Sequence, residues 1–356
     1  MGRRPPRRRL TLRAWSGALL LAIAGCTAAP VPAGTLADRL NASVRTDEAA
    51  FASNFTADST AGGEWFAALK GAAPTFSQPD GRTLVVTATM PGDRRPATWT
   101  LHLELDGVTG QIRAVAPTPD RPIWVLGAVD VTAATHGTLL SSGLDAPARG
   151  LWAQRIDRAA AAVARTSPPG ADGWTGGLVV EVPATGSDFQ AITDELPNTA
   201  SALTACGTGT PRIVVNPLIL EQPDEWLNST LVHEAVHVAT DSACAQAGES
   251  LGWAVEGLAE SVTARNDPAT ATRNRGLVHD YLRDHAVPAA LPEQLEDLTS
   301  YALAQLAVDQ VREHLGTKAD DLLVRATHEA RTVTPVELAK VTDLYTAELR
   351  RLAASG

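Results

Sequence analysis

Residues 229–240 read Ser229-Thr-Leu-Val-His-Glu-Ala-Val-His-Val-Ala-Thr240, and nineteen positions after the second histidine comes Glu256, within Trp253-Ala-Val-Glu-Gly-Leu-Ala-Glu260. An apolar run behind Ser229 and Thr230, residue types that favour helix N-caps, predicts a helix. On that helix His233 and His237 share one face, because 3.6 residues per turn stacks positions i and i+4. Two imidazoles side by side can hold one zinc ion, with room for a third protein ligand and an open position for water. Glu234 falls beside the metal, where a general base for that water belongs. A second helix carrying Glu256 completes a His, His, Glu set. Glu260, one turn further on, can accept a hydrogen bond from a ligand histidine and set its tautomer. A structural zinc site is usually closed by four protein ligands, and three are visible here, which favours an enzyme over a merely structural zinc domain.

His233-Glu234-x-x-His237 followed by Trp253-x-x-Glu256-Gly257-x-Ala259-Glu260 resembles the gluzincin peptidases, especially the aminopeptidase N and peptidase MA-like groups. The resemblance implies a zinc metallopeptidase acting on a peptide or protein, with Zn2+ as cofactor. His233, His237 and Glu256 are then its ligands, Glu234 the base and Glu260 a support behind the ligands. The segment Ser300-Tyr301 to Leu315-Gly316 is similar to a helix of that group which opens on a tyrosine that steadies the oxyanion, so the resemblance assigns that role to Tyr301. His279 and His285 are further candidates for it. The resemblance covers roughly residues 210–316. It departs at one point: the Gly-x-Met-x-Asn stretch with which aminopeptidases of this type bind a free amino terminus has no counterpart, since the methionines are Met1 and Met90. An endopeptidase or a narrow-specificity peptidase fits better than an aminopeptidase. The strand-like Arg212-Ile-Val-Val-Asn216 is either a sheet edge that pairs with an extended substrate or an ordinary interior strand.

Arg3, Arg4, Arg7, Arg8, Arg9 and Arg13 precede an apolar stretch from Ala14 to Ala24, then Gly25 and Cys26. A basic region followed by a short hydrophobic run predicts an export signal over residues 1–25. Ile23-Ala24-Gly25-Cys26 resembles a bacterial lipobox, which implies lipidation of Cys26 and a membrane anchor for a protein on the outer face of the cell membrane. Small and proline-bearing residues through 35 suit a tether. Removing six arginines and no acid takes the net charge from −10 to −16, which argues against nucleic acid as a partner. Cys206 and Cys244 are then the remaining cysteines, either a disulfide of an exported protein or a pair of thiols.

The expected fold class is α+β. Residues 36–132 predict helices (Leu36–Asn54 and near Glu64–Lys70) and then strands over 83–89, 98–105 and 111–115, with Asp106-Gly107 as a turn. That pattern resembles the cone-shaped nuclear transport factor 2-like fold. His102, in strand alternation, reads as a packed or surface residue. Residues 133–356 predict a mostly helical zincin-like peptidase domain, with a long helix at Ala146–Arg165, a strand at Gly177–Val182 and a short helix at Phe189–Leu196. The other reading of the whole chain is a non-catalytic, surface-anchored binding lipoprotein with a zincin-like domain.

Overall fold

The computed structural model describes residues 34–355 apart from 119–120, 197–199, 246–247 and 294; the leader and Cys26 lie outside the described residues. The first helix, α1 (Leu36–Ser43), starts on a capping box in which Thr35 and Asp38 each bond the other's backbone N–H. The single helix expected over 36–54 is two, because Asp47 accepts from the N–H groups of Ala49 and Ala50 and so caps a separate α2 (Glu48–Ala52). After α3 (Ala61–Leu69) come β1 (Thr75–Ser77), β2 (Thr83–Ala88), β3 (Ala97–Leu105) and β4 (Ile112–Val115), an antiparallel meander in chain order. In β3 Ala97, Trp99, Leu101 and Leu103 point inward, while Thr98, Thr100, His102 and Glu104 face solvent. Burying each large apolar side chain of such a face contributes roughly 1.5–3 kcal/mol. Trp124 stands edge-on to both Trp65 and Trp99, with ring centroids 4.8 and 5.6 Å apart, and closes this core.

Trp124 belongs to the short α4 (Ile123–Leu126). The chain then enters a second sheet through β5 (Asp130–Ala134) and β6 (Gly137–Ser141), where the sequence suggests no strands. The long α5 (Ala146–Thr166), capped by Asp145, leads to β7 (Leu178–Val182), and α6 (Gly186–Thr193) leads to β8 (Ala202–Ala205) and β9 (Arg212–Val215). The order is β5-β6-β7-β9-β8, with β6, β7 and β9 parallel and an antiparallel strand at each edge. The strand at Arg212 is therefore interior, and the edge strand beside it is β8.

Parallel strands read as continuous apolar runs because both faces are covered. Leu139, Leu178, Val180, Val182, Ile213 and Val215 pack under the helices, while Leu140, Val179 and Val214 join the core of the meander. On that second face Arg212 is sealed between Asp93 (2.7 Å) and Glu181 (3.2 Å), its guanidinium 4.8 Å from the Trp99 ring centre. An arginine shared by two buried carboxylates keeps its charge, since desolvation is opposed by Asp93 and Glu181. The turn at Asp93 thus ties the meander to the second sheet.

From β9 the chain is helical: α7 (Asp224–Thr240), α8 (Gly252–Asn266), α9 (Pro268–Asp284), α10 (Leu298–Leu315), α11 (Thr317–His328) and α12 (Pro335–Ser355). The helix bearing the histidines begins five residues before Ser229. Asp224 and Glu225 occupy its first turn, where carboxylates suit the helix dipole, and Ser229 lies inside it with its hydroxyl on the Trp226 carbonyl. Glu256 and Gly257 are neighbours for a packing reason: a Cβ at 257 would run into the Ala304 carbonyl, so glycine lets α8 lie against α10. The result is a mixed α+β fold with two sheets. No described helix is long and apolar enough to cross a membrane.

Candidate metal centre

Helix α7 presents His233 and His237 on one face, their rings 4.9 Å apart between centroids. Glu256, from the facing turn of α8, places Oε2 3.0 Å from His233 Nε2 and 3.4 Å from His237 Nε2, and the two Nε2 atoms are 3.2 Å apart. Among the described residues this is the cluster of three side chains able to hold a metal ion. Both imidazoles turn Nε2 to Glu256 and Nδ1 away from it. His233 Nδ1 faces Glu260 Oε1 at 3.8 Å, and His237 Nδ1 meets Ser242 Oγ at 3.2 Å. Ser242 reaches that position because the chain reverses at Asp241 in the left-handed conformation that ends α7.

The cluster asks for positive charge. Burial by itself lowers the His233 imidazole, but the hydrogen bond to Glu256 and the charges of Glu256, Glu260 and Glu234 outweigh it and push it up to about 9. Burial likewise raises the Glu256 carboxyl, and His237 and His233 together hold it far below the usual carboxylate range. Two imidazoles ringed by three carboxylates form a nitrogen and oxygen donor set that suits a divalent cation of the zinc type. The residues present fit that ion.

Glu234 is 7 % exposed and lines a cavity of about 590 Å³ together with His233, Glu260 and Tyr301. Thr204 of the edge strand donates to its Oε2 at 2.7 Å. Tyr301 sits in the first turn of α10, which Asp297 caps through Ser300, and its ring centre is 5.9 Å from that of His233. Burial, then the charges of Glu256, Glu234 and Glu260, push its hydroxyl above the ordinary tyrosine value, so it stays a donor. Behind the ligands, Glu260 Oε2 accepts from Asn274 Nδ2 at 3.1 Å, and Asn274 also donates to Gln305 at 2.8 Å.

His279 and His285 do not line this cavity. His279 is exposed on α9, and His285 stacks on Tyr281 at the end of that helix, so neither stands where an oxyanion would form. Sequence inspection also missed Thr204, Ser242 and Asn274. Ser242 carried a usable signal, five residues past His237 where a helix must turn; the other two are brought in only by the tertiary fold.

The far end of α7 is clamped from two sides. Cys206, just after β8, and Cys244, in the turn after α7, are joined as a disulfide with Cα atoms 5.2 Å apart. Arg94 donates to the last carbonyls of α7, Val238 and Ala239, and Arg95 pairs with Asp241 at 2.8 Å. Cations at a helix C-terminus satisfy its orphan carbonyls and its dipole.

No family model matches the chain, and no curated protein matches it. Among solved structures it is similar to an M1 zinc metallopeptidase from Deinococcus radiodurans, at 16% identity and a TM-score of 0.30, over 79% of this chain and 57% of that one. The chain thus spans little more than half of that protein's length. A likeness this slight carries no argument about fold or function.

Proposed function

We propose that this protein is a zinc metallopeptidase of gluzincin type, hydrolysing peptide bonds of extracellular or cell-envelope proteins or peptides. The observation that carries the proposal is the convergence of His233 Nε2, His237 Nε2 and Glu256 Oε2 on one point, at the side of a cavity that His233 and Glu234 line. His233, His237 and Glu256 would hold the metal. When bound, zinc supplies Lewis acidity toward a carbonyl and toward water.

The chain's own groups supply the rest. Thr204 fixes Oε2 of Glu234, which leaves Oε1 to take a proton from a water in the cleft and return it to the leaving nitrogen. The protonated Tyr301 hydroxyl can donate to an oxyanion. Ser242, at hydrogen-bond distance from Nδ1, holds the His237 imidazole with Nε2 turned inward, and the Glu260 carboxylate faces Nδ1 of His233 at 3.8 Å. Ala200, Ser201 and Ala202, at the edge strand, form one wall of the cavity, so an extended peptide could add to β8 by main-chain hydrogen bonds. We read residues 133–356 as the zincin-like unit and residues 36–132 as a nuclear transport factor 2-like platform; the contacts of Asp93, Arg94 and Arg95 support a positioning role. Lipidation at Cys26 would keep the protein on the outer face of the membrane. Without the methionine motif for a free amino terminus, endopeptidase action is favoured over aminopeptidase action.

Hydrolysis of a mixed protein substrate by zinc-loaded protein tests the proposal. Glu234→Gln should keep one zinc per chain and lose about 10²–10⁴-fold in rate. His233→Ala should lose the metal. Full activity in Glu234→Gln would overturn the mechanism. Zinc binding without hydrolysis of any protein would leave the surface-anchored binding protein as the function.

A further inference from the structure

The cavity over the candidate metal centre is walled by the carboxylates of Glu234, Glu260, Glu296 and Asp297, yet one of its lining residues is an arginine, Arg273 of α9. Ion pairs occupy arginines elsewhere in the molecule, such as Arg95, Arg155, Arg212 and Arg325, whereas Arg273 makes none among the described residues. It is nonetheless held in place. Its guanidinium carbon lies 5.2 Å from the centre of the Trp226 ring, and its Nε donates to Asn274 Oδ1 at 3.1 Å.

Asn274 is 4 % exposed and spends its amide N–H groups on Glu260 and Gln305. The arginine is thus tied through Asn274 to Glu260, whose other oxygen faces His233 Nδ1 at 3.8 Å. A guanidinium stacked on an aromatic ring and tied at Nε keeps its two terminal nitrogens as a planar fork, the geometry that matches a carboxylate in two parallel hydrogen bonds. The acids of the wall do not fill that fork. A peptide in the cleft brings one kind of anion, a carboxylate.

We propose that Arg273 is a specificity-determining residue that anchors a substrate carboxylate at a fixed distance from the scissile bond. The substrates of choice are then peptides with a carboxylate close to the cleavage point, either the chain's own carboxyl terminus or an acidic side chain. The inference rests on the peptidase function proposed above, and its test separates the two.

A set of N-acetylated hexapeptides of mixed sequence serves as probe, each made as the free acid and as the C-terminal amide, and each with Glu or Gln at the penultimate position. Binding is measured by calorimetry to zinc-loaded Glu234→Gln protein, and cleavage by zinc-loaded wild type. The expected result is that the anionic member of a pair binds about tenfold tighter or more and is cleaved with a correspondingly higher kcat/KM, as a charge-assisted bidentate pair allows. Arg273→Gln should bring both ratios close to one by weakening the anionic member and leaving the neutral one unchanged, and Arg273→Lys should fall between. A ratio that follows the terminus marks a carboxyl-terminal trimming enzyme; one that follows the side chain marks cleavage beside acidic residues. Either result supports the anchor. Equal binding of acid and neutral peptides to the unaltered arginine would overturn it, as would an equal loss for both in Arg273→Gln, which is what a purely packing role beside Trp226 produces. Should wild type cleave none of the peptides, the peptidase function fails, and the binding ratios still decide the anchor.

Discussion

Thr204 Oγ1 stands 2.7 Å from Oε2 of Glu234, so the edge strand of the second sheet holds one oxygen of the carboxylate that α7 shows to the cleft. The hydroxyl also lies 3.2 Å from the Glu234 carbonyl. The proposed base is therefore fixed by a residue thirty positions away, on a different element. Thr204→Val keeps the shape and removes the donor. A hydrogen bond to a charged group is worth about 1.5–3 kcal/mol, so kcat/KM should fall roughly tenfold to a hundredfold. Zinc content, measured by metal analysis, should stay at one per chain. Unchanged kinetics in a protein that lacks this hydroxyl would mean that Glu234 needs no such support.

Ser242 stands behind His237 as Glu260 stands behind His233, 3.2 Å from Nδ1 and 3.1 Å from Thr240 Oγ1. Supports of this kind usually change metal affinity by about 10–100-fold. Ser242→Ala should weaken zinc binding by that order in a competition titration, with little change in the melting temperature of the metal-free protein. Equal zinc affinity in variant and wild type would show that the hydroxyl does not orient the imidazole.

What could be read from the chain alone follows from how local each signal is. Helix α5 announces itself as an amphipathic run and α7 as an apolar one, α8 and α10 are read through the motif and the resemblance, and β2, β3 and β4 through alternation or β-branched runs. The strands β5, β6 and β8 do not. Gly137-Thr-Leu-Leu-Ser141 is buried on both faces and has no period, and Ala202-Leu-Thr-Ala205 is four residues long, half of them alanine. The site divides the same way. His233, Glu234 and His237 sit within five residues on one helix face, and the resemblance supplied Glu256. Thr204 and Arg273 answer to nothing near them in sequence. They reach the cleft because β8 is an edge strand beside α7 and because α9 packs on α8, and neither fact is written in a short window. Arg212 shows the converse: a strand signal that was correct in kind but silent on edge or interior, which only the strand order decides.

Away from the metal cluster, acid sensitivity should show where α11 meets α12. Glu337 takes Arg325 Nη2 at 2.6 Å and the Thr334 N–H at 2.8 Å, and these bonds, Arg325 first, hold its carboxyl down at about 2. A carboxyl whose folded pKa lies below its unfolded value stabilises the fold fully above the unfolded value, and that contribution is lost as pH falls toward the folded one. The window is therefore between the ordinary glutamate value of 4.5 and about 2. Because the pair lies at the surface, half-buried and open to water and ions, the effect should be modest and shrink in high salt. Glu337→Gln should melt earlier than wild type at pH 7 and lose less on moving from pH 5 to acid, as followed by circular dichroism. Parallel acid profiles for the two proteins would remove Glu337 from the account.

The Cys206–Cys244 disulfide joins the end of the strand that carries Thr204 to the turn that carries Ser242. It closes a separation of 38 residues, for which the chain-entropy picture gives about 4 kcal/mol of stability. Its second effect should fall on the metal. With the bond cut, the turn that carries Ser242 keeps the reversal at Asp241, its Arg95 partner and the Thr240 hydroxyl but loses its covalent tie to β8, so the hydroxyl is held less firmly beside His237. A double Cys206→Ala, Cys244→Ala protein should therefore bind zinc more weakly as well as melt earlier. The two effects are separable in a cycle with Ser242→Ala. If the disulfide acts on the metal through Ser242, the cysteine changes should weaken zinc binding much less in the Ser242→Ala background than in wild type, because one shared support cannot be lost twice. Fully additive losses would mean that the bond stabilises the fold without reaching the ligand, whatever its effect on melting.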